Sequence, residues 1–182
     1  GSHNPAEYNG FKICQGKDSV HGEEIQTLYK ICEQLKNEMT DPSTRRGELS
    51  QYDIISPYLK DISNRVKLHR SVKVVVDAGN GTAGEIAPKL LRMLGCDVTE
   101  LFCELDGRFP NHHPDPTVVE NLEDLKQSIK KTQSELGIAF DGDSDRIGAV
   151  DEKLNPIFGD ELLVLYSREI LQRKPGSTII SE

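Results

Sequence analysis

The chain has 182 residues, of which 36% are hydrophobic and 29% charged, a composition typical of a folded protein rather than a disordered one. The formal net charge of −8 argues against a nucleic-acid or anionic-membrane surface, because both need clustered lysine and arginine. Four cysteines lie in apolar stretches without a CxxC pair, and we interpret them as buried, reduced thiols of a cytoplasmic protein: Cys14, Cys32, Cys96 and Cys103.

The first third of the chain predicts one short strand and two helices. Residues 11–14 favour a strand, and residues 22–39 have apolar side chains at the three- and four-residue spacing of an amphipathic helix. The polar stretch 40–48 contains proline and glycine and predicts a linker. Residues 50–68 predict a second amphipathic helix.

Strands and helices then alternate to the end of the chain. The β-branched residues 72–77 predict a buried strand, followed by a glycine-rich turn and a helix to about residue 94. The remaining predicted elements are a strand at 97–102, a loop at 106–117, a helix at 118–133, strands at 136–140 and 147–151, a helix at 159–172 and a strand near 177–181. This alternation predicts an α/β fold with three layers, in which helices cover both faces of a mixed, largely parallel sheet.

The acidic segment Phe-Asp-Gly-Asp-Ser-Asp-Arg at 140–146 is the strongest functional signal. Asp141, Asp143 and Asp145 alternate directly after an apolar strand, so a tight turn would bring their carboxylates together. Converging carboxylates repel one another unless a cation neutralises them, and oxygen ligands suit Mg²⁺ or Ca²⁺. An EF-hand calcium loop is excluded, because Arg146 stands where that loop needs glycine and the flanking segments predict strands.

A second motif, Asp-Ala-Gly-Asn-Gly-Thr-Ala-Gly at 77–84, contains GxGxxG spacing between a strand and a helix. Glu100 follows about 20 residues later, where a dinucleotide-binding fold places its ribose carboxylate. The residues alone leave two interpretations open, a nucleotide site and a glycine-assisted turn that binds no ligand.

Four segments in this order resemble the α-D-phosphohexomutases, the phosphoglucomutase/phosphomannomutase family. Ser-His-Asn-Pro-x-x-Tyr-Asn-Gly-Phe-Lys at 2–12 resembles the active-site serine loop, although a serine beside a histidine is by itself a weak signal. The segment 141–146 resembles the metal-binding loop of that family. Residues 77–84 and Phe-Pro-Asn-His-His-Pro-Asp-Pro at 109–116 resemble two segments of its second domain. Within this resemblance the glycines serve backbone geometry, and no dinucleotide is expected.

The resemblance implies a piece of a four-domain enzyme that interconverts hexose 1-phosphates and hexose 6-phosphates of glucose, mannose or both. The family's reaction passes through a phosphoserine and a hexose 1,6-bisphosphate. Residues 1–46 would form the end of domain 1 with the serine loop, 47–157 domain 2 with the metal-binding loop, and 158–182 the start of domain 3. We expect the piece alone to be nearly inactive, because the family's later sugar- and phosphate-binding loops lie outside it.

The same resemblance implies the roles of individual residues. Ser2 would carry the phosphoryl group, and Arg146, with its planar guanidinium, would bind a phosphate oxygen. Lys12, in preference to His3, would act as the acid/base toward a sugar hydroxyl. Mg²⁺ would be bound by the Ser2 phosphate and by the three carboxylates of the acidic segment: Asp141, Asp143 and Asp145.

Two other functions compete with this one. An aspartyl-phosphate phosphatase of the haloacid dehalogenase type would use Asp141 as nucleophile and Asp143 as acid/base, although Asp145 stands where that class has threonine. A non-catalytic module would bind a nucleotide at the glycine motif. His112 and His113 stay outside the predicted site, because loops rich in proline and asparagine more often use such groups for hydrogen bonding and Mg²⁺ prefers oxygen.

Overall fold

The computed structural model divides into two compact units, which are described separately. The smaller unit is Tyr8–Tyr52, and the larger unit contains the described residues from Asp53 onwards. The structure describes residues 8, 10–38 and 48–181. The predicted serine loop therefore falls largely outside the described part of the chain, as does most of the predicted linker.

The smaller unit consists of a short hairpin and one helix. Strands β1 (Cys14–Gln15) and β2 (Asp18–Ser19) pair antiparallel, and helix α1 follows at Glu23–Glu38. The predicted strand at 11–14 is displaced toward its C-terminal end, because Gly16 adopts a left-handed conformation (φ 65°) and turns the chain back. Several apolar side chains of α1 are exposed, since a hairpin this short cannot cover them within the unit: Ile25, Leu28, Tyr29 and Leu35.

The larger unit contains the remaining elements. Its elements are α2 (Ile55–Arg65), β3 (Lys73–Asp77), α3 (Ala83–Met93), β4 (Asp97–Leu101), a 3-10 helix (Val119–Leu122), α4 (Glu123–Thr132), β5 (Leu136–Phe140), β6 (Ile147–Asp151), β7 (Pro156–Ile157) and α5 (Gly159–Arg173). No helix in the described ranges is both long enough and apolar enough to span a bilayer.

Two predicted elements differ from the structure. The helix predicted over 50–68 is shorter, because the Asp53 carboxylate accepts the Ser56 amide at 3.1 Å near its start and Val66 is already extended at its end. The strand predicted near 177–181 is wrong, and these residues form no regular element. Ile180 is exposed, and two adjacent isoleucines, Ile179 and Ile180, do not make a strand without a neighbouring strand to which the backbone can hydrogen-bond.

The larger unit is built on a five-stranded sheet in the order β4-β3-β5-β6-β7. Strand β3 pairs in parallel with β4 and β5, whereas β6 pairs antiparallel with β5 and β7. The sheet is mixed, as predicted, but it is not largely parallel, because parallel and antiparallel pairings occur in equal number. The antiparallel part follows from the six-residue connection 141–146, which is too short for the crossover that parallel strands require.

Helices cover both faces of this sheet. Helix α4 packs on β3 and β5, while α3 packs on β3 and β4 with α2 behind it. The connection from β3 to β4 through α3 and the connection from β4 to β5 through α4 run in opposite directions across the sheet, so the right-handed crossover rule places these helices on opposite faces. Core side chains on the α4 side are Val75, Leu122, Leu125, Ile129, Ala139 and Val150.

The strand order places two of the predicted motifs at one edge of the sheet. From β3 the chain crosses to β4 on one side and later returns as β5 on the other, so that β3 and β5 are parallel neighbours. We call residues 78–82, after β3, the glycine turn, and residues 141–146, after β5, the acidic turn. In open α/β sheets this switch point at the carboxyl ends of the strands is where ligands bind.

The cysteines differ from the prediction in their burial. Cys14 and Cys32 are exposed, and Cys96 and Cys103 are partly buried, so none of the four is fully buried. All four are free thiols, as predicted. Burial raises the pKa of the Cys103 thiol to about 11, which leaves it protonated at neutral pH.

Candidate active site

The acidic turn collects three carboxylates at the end of β5. Asp141, Asp143 and Asp145 each offer an oxygen, and these oxygens all lie within 4.8 Å of one another. Ser144 adopts the left-handed conformation (φ 66°), and its amide donates to the Asp141 carbonyl at 3.1 Å. The Asp141 amide donates to the Arg146 carbonyl at 3.3 Å and closes the turn. This tight backbone brings alternate side chains together.

The three carboxylates have different surroundings. Asp141 is fully buried, whereas Asp143 and Asp145 are exposed. The buried carboxylate is compensated by Arg146, whose amide donates to Oδ1 at 2.9 Å and whose Nε donates to Oδ2 at 3.1 Å. Arg146 therefore contacts both oxygens of the buried carboxylate and offsets its charge.

This donor set fits a hard divalent cation. The ligands are all carboxylate oxygens, which Mg²⁺, Ca²⁺ and Mn²⁺ prefer, whereas zinc and copper are more often bound by softer nitrogen and sulfur ligands. Their mutual separation of at most 4.8 Å is compatible with a single ion. Because Asp143 and Asp145 are exposed, such an ion would keep an open side for water or for a phosphate oxygen.

Arg146 lies between two carboxylates at the end of the acidic turn. Its Nη2 is 3.0 Å from Asp141 Oδ2, and its Nη1 is 3.1 Å from Asp115 Oδ2. Burial acts to lower the pKa of Arg146, but the hydrogen bond and charge of Asp115, together with Asp141, outweigh it and raise the pKa above its usual value. The guanidinium is therefore fully charged. Because the side chain is 36% exposed, it is also accessible to an anion.

The glycine turn packs directly against the acidic turn. The Thr82 amide donates to the Gly142 carbonyl at 3.1 Å, and the Thr82 and Ser144 hydroxyls are 2.8 Å apart. A Cβ atom on Gly81 would lie 2.7 Å from the Gly142 oxygen, closer than two such atoms can approach. Glycine is therefore required here for the contact between the two turns.

The same contact argues against a nucleotide site. In a dinucleotide-binding turn the second glycine lets a pyrophosphate approach the backbone, but the space over Gly81 is occupied by Gly142. Glu100, the candidate ribose ligand, instead forms a 2.6 Å surface ion pair with Arg92.

Burial also argues against an aspartyl-phosphate enzyme. A nucleophilic carboxylate must be reachable, yet Asp141 is fully buried and both of its oxygens accept hydrogen bonds from Arg146. The more accessible carboxylate of this pair is that of Asp143, to which this alternative assigns the acid/base role. The geometry thus suits Asp141 as a fixed ligand rather than as a nucleophile.

A partly buried pair of His112 and Asp77, which sequence reasoning missed, lies beside the glycine turn. His112 Nε2 is 3.1 Å from Asp77 Oδ2, and the Gly79 amide donates to Asp77 Oδ1 at 2.8 Å. His112 Nδ1 is 2.9 Å from the His113 carbonyl, which can only accept. A protonated imidazolium can therefore donate from both ring nitrogens, and the hydrogen bond to Asp77 raises the pKa of His112 above its usual value.

The predicted site residues fall into three groups. Asp141, Asp143, Asp145 and Arg146 come together in the acidic turn, as described above. Lys12 belongs to the smaller unit, and its side chain is exposed. The other two predicted residues, Ser2 and His3, lie outside the described residues.

Asp115 also contacts the acidic turn, through Arg146, and sequence reasoning did not single it out. It lies in the predicted 106–117 loop, 31 residues before its partner Arg146. The 109–116 motif contains it, which is a signal that the segment matters. No local pattern indicates that its carboxylate contacts the acidic turn.

Comparisons with known proteins agree with this geometry. Residues 56–155 match the sequence model of a family described as phosphoglucomutase/phosphomannomutase, alpha/beta/alpha domain II. The chain is 48% identical over 181 residues to a phosphomannomutase/phosphoglucomutase of Pseudomonas syringae pv. tomato. It is 47% identical over 180 residues to a phosphoglucomutase of Neisseria gonorrhoeae. Each alignment covers 99% of this chain but only 38% of the relative.

A solved structure shows the same fold. The chain matches a phosphoglucomutase/phosphomannomutase family protein from Burkholderia thailandensis with a TM-score of 0.85 and 44% sequence identity. That match covers 96% of this chain and 37% of the other. The chain thus spans a little over a third of the length of the proteins it is similar to.

Proposed function

The chain belongs to the phosphoglucomutase/phosphomannomutase family, and from this we propose that it is part of a Mg²⁺-dependent phosphohexomutase. The full-length protein would be an isomerase that interconverts hexose 1-phosphates and hexose 6-phosphates of glucose, mannose or both. The observation that carries the proposal is the acidic turn, where three carboxylate oxygens lie within 4.8 Å of one another inside the family-matched region.

The acidic turn would hold the metal. The carboxylates of Asp141, Asp143 and Asp145 would ligate Mg²⁺ together with a phosphate oxygen on Ser2. When bound, Mg²⁺ offsets negative charge on the phosphoryl group that is being transferred. Arg146 fixes the buried carboxylate of Asp141 through its amide and its guanidinium, which keeps that ligand in place before the cation arrives.

The transfer would use Ser2 as the phosphate carrier. A sugar hydroxyl attacks the phosphorus of phosphoserine, the bond from Ser2 Oγ to phosphorus breaks, and a hexose 1,6-bisphosphate forms. After the sugar reorients, Ser2 Oγ takes the other phosphate back. Such a transfer depends mostly on positioning and charge neutralisation, because little other covalent chemistry is required.

The remaining site residues would handle charge and protons. The accessible, fully charged guanidinium of Arg146 would bind an oxygen of the transferring phosphate. Lys12 would take the proton from the attacking hydroxyl and return it to the leaving oxygen, and its exposed side chain is free to meet a substrate. His3 would support the phosphate charge beside Ser2.

We also retain the domain division as a proposal, with residues 1–46, 47–157 and 158–182 in successive domains. The family match at 56–155 lies inside the second of these ranges. The piece alone is expected to be nearly inactive. A cytoplasmic location is proposed as well, supported by four free thiols, since reduced cysteines are usual in that compartment. Hexose phosphates are proposed as the partners from the family match, and the net charge of −8 argues against nucleic acid or an anionic membrane.

The decisive experiment assays the full-length protein on glucose 1-phosphate, mannose 1-phosphate and glucosamine 1-phosphate, with Mg²⁺ and a trace of hexose bisphosphate. The variant Ser2→Ala is expected to lose turnover by orders of magnitude. Ser71→Ala is the matched control, because Ser71 is exposed and precedes β3, at the opposite end of that strand from the acidic turn. Turnover in Ser2→Ala equal to that of the control would overturn the phosphoserine mechanism.

A further inference from the structure

Asp115 contacts the acidic turn from outside it, and both of its carboxylate oxygens have partners. Asp115 Oδ2 accepts a hydrogen bond from Arg146 Nη1 at 3.1 Å. Asp115 Oδ1 accepts two hydrogen bonds from Thr117, from the amide at 3.0 Å and from the hydroxyl at 2.7 Å. The carboxylate is thus held in one orientation, with one oxygen directed to the guanidinium.

The backbone that carries Asp115 is itself anchored. The Asn121 side-chain amide donates to the Asp115 carbonyl at 2.9 Å. Three residues earlier, the partly buried pair of His112 and Asp77 attaches the loop to the end of β3. Pro116 lies against Gly148 of β6, where an added Cβ would be 2.9 Å from the proline ring. Asp115 is therefore presented to Arg146 from a fixed segment rather than from a free loop.

The positive charge of Arg146 competes with a cation for two carboxylates of the acidic turn. Its Nη2 lies 3.0 Å from Asp141 Oδ2, and its Nε lies 3.8 Å from Asp145 Oδ1. Both carboxylates belong to the cluster that fits a metal. Without a third carboxylate, the whole guanidinium charge would be directed to these two ligands, since charge attraction at such distances is substantial near a protein surface.

We infer that Asp115 is a positioning residue for Arg146, an inference that rests on the proposed metal-dependent function. By accepting a bond from Nη1 it shares the guanidinium charge, so that less of this charge is directed at Asp141 and Asp145, the carboxylates that would ligate a divalent cation. Asp115 also fixes the orientation of the guanidinium, because the group is then held by two carboxylates, those of Asp115 and Asp141, rather than by Asp141 alone.

The test measures Mn²⁺ binding to the full-length protein by titration calorimetry, so that the readout does not depend on turnover. Asp115→Asn keeps the shape of the side chain and removes its charge, and we expect the dissociation constant to rise about fivefold. Asp115→Glu restores the charge and is expected to bind within about twofold of the wild type, which separates loss of charge from misfolding. Asp106→Asn is the matched control, because Asp106 pairs with Arg108 in the same loop.

A double-mutant cycle with Arg146→Gln identifies the route of the effect. If Asp115 acts through Arg146, its replacement by asparagine should change Mn²⁺ affinity less than about twofold in the Arg146→Gln background. An equal loss in both backgrounds would overturn the inference, because it would show a simple long-range charge effect. So would unchanged affinity in Asp115→Asn. No Mn²⁺ binding by the wild type would instead overturn the proposed metal site itself.

Discussion

Gly81→Ala provides the sharpest test of the contact between the glycine turn and the acidic turn. The new Cβ would lie 2.7 Å from the Gly142 oxygen and 2.9 Å from its Cα, and both are backbone atoms that no rotamer change can move. The acidic turn would have to shift by about 0.7 Å to restore an ordinary van der Waals distance to the Gly142 oxygen.

The cost of that shift can be worked out from the contacts. Overpacking by one methyl group in a tight site costs about 1–3 kcal/mol. The Gly142 carbonyl also accepts the Thr82 amide at 3.1 Å, and a weakened hydrogen bond adds about 1 kcal/mol. We therefore expect the free energy of unfolding of Gly81→Ala to fall by about 2–4 kcal/mol.

The displacement should also affect metal binding selectively. Mg²⁺ requires near-ideal octahedral geometry, whereas Ca²⁺ accepts a flexible shell, so the variant should lose more affinity for Mg²⁺ than for Ca²⁺. Urea unfolding and calorimetric titration with each ion measure the two effects. Gly107→Ala is the control, because an added Cβ there meets no atom within 4 Å. Equal stability and equal ion affinities in the two variants would refute the packing argument.

Three further predictions concern the cluster, the partly buried pair and the core. Asp143→Asn in the full-length protein should lower turnover about 100-fold or more while the fold survives, since it removes a ligand, and near-normal turnover would contradict the metal assignment. The pair of His112 with Asp77 raises the pKa of the histidine above 6.5 in the folded state, so its contribution is complete below that pH and is lost as pH rises through the raised pKa. The stability difference between wild type and His112→Gln should thus shrink as pH increases above 6.5, and a difference that stays constant in urea titrations would disprove the charged pair. Leu125→Ala removes a fully buried side chain from the α4 side of the core and should cost about 2–5 kcal/mol in thermal or urea unfolding, whereas a cost below about 1 kcal/mol would show that the site is not tightly packed.

Local sequence pattern is sufficient for the strands that carry the site. The run of β-branched residues predicted at 72–77 is strand β3, and the strand predicted at 136–140 has those bounds in the structure. β3 is buried over residues 74–77 and β5 is buried or half-buried throughout, and residues that favour turns follow both strands, so the local preference and the tertiary environment agree. The acidic turn is predictable for the same reason, because a short polar connection after a buried strand must turn at once.

The spacing of apolar residues is less informative where their burial depends on residues outside the segment. The apolar face of α1 satisfies helical spacing, yet Ile25 and Leu35 are exposed, and Ile180 lies in a segment that forms no strand. Spacing indicates which side chains share a face. It does not indicate what covers that face, because the covering residues come from segments that are distant in the sequence.

The sequence by itself therefore determined the fold class, the position of the three carboxylates and, by resemblance, the family. Tertiary structure alone decided which distant residues meet them. Asp115 reaches Arg146 over 31 residues, and His112 reaches Asp77 over 35. These pairs form because β4, β3 and β5 are parallel neighbours, so that the segments following all three strands begin at one edge of the sheet. Periodicity is a property of neighbouring residues, whereas such pairs depend on the path of the whole chain.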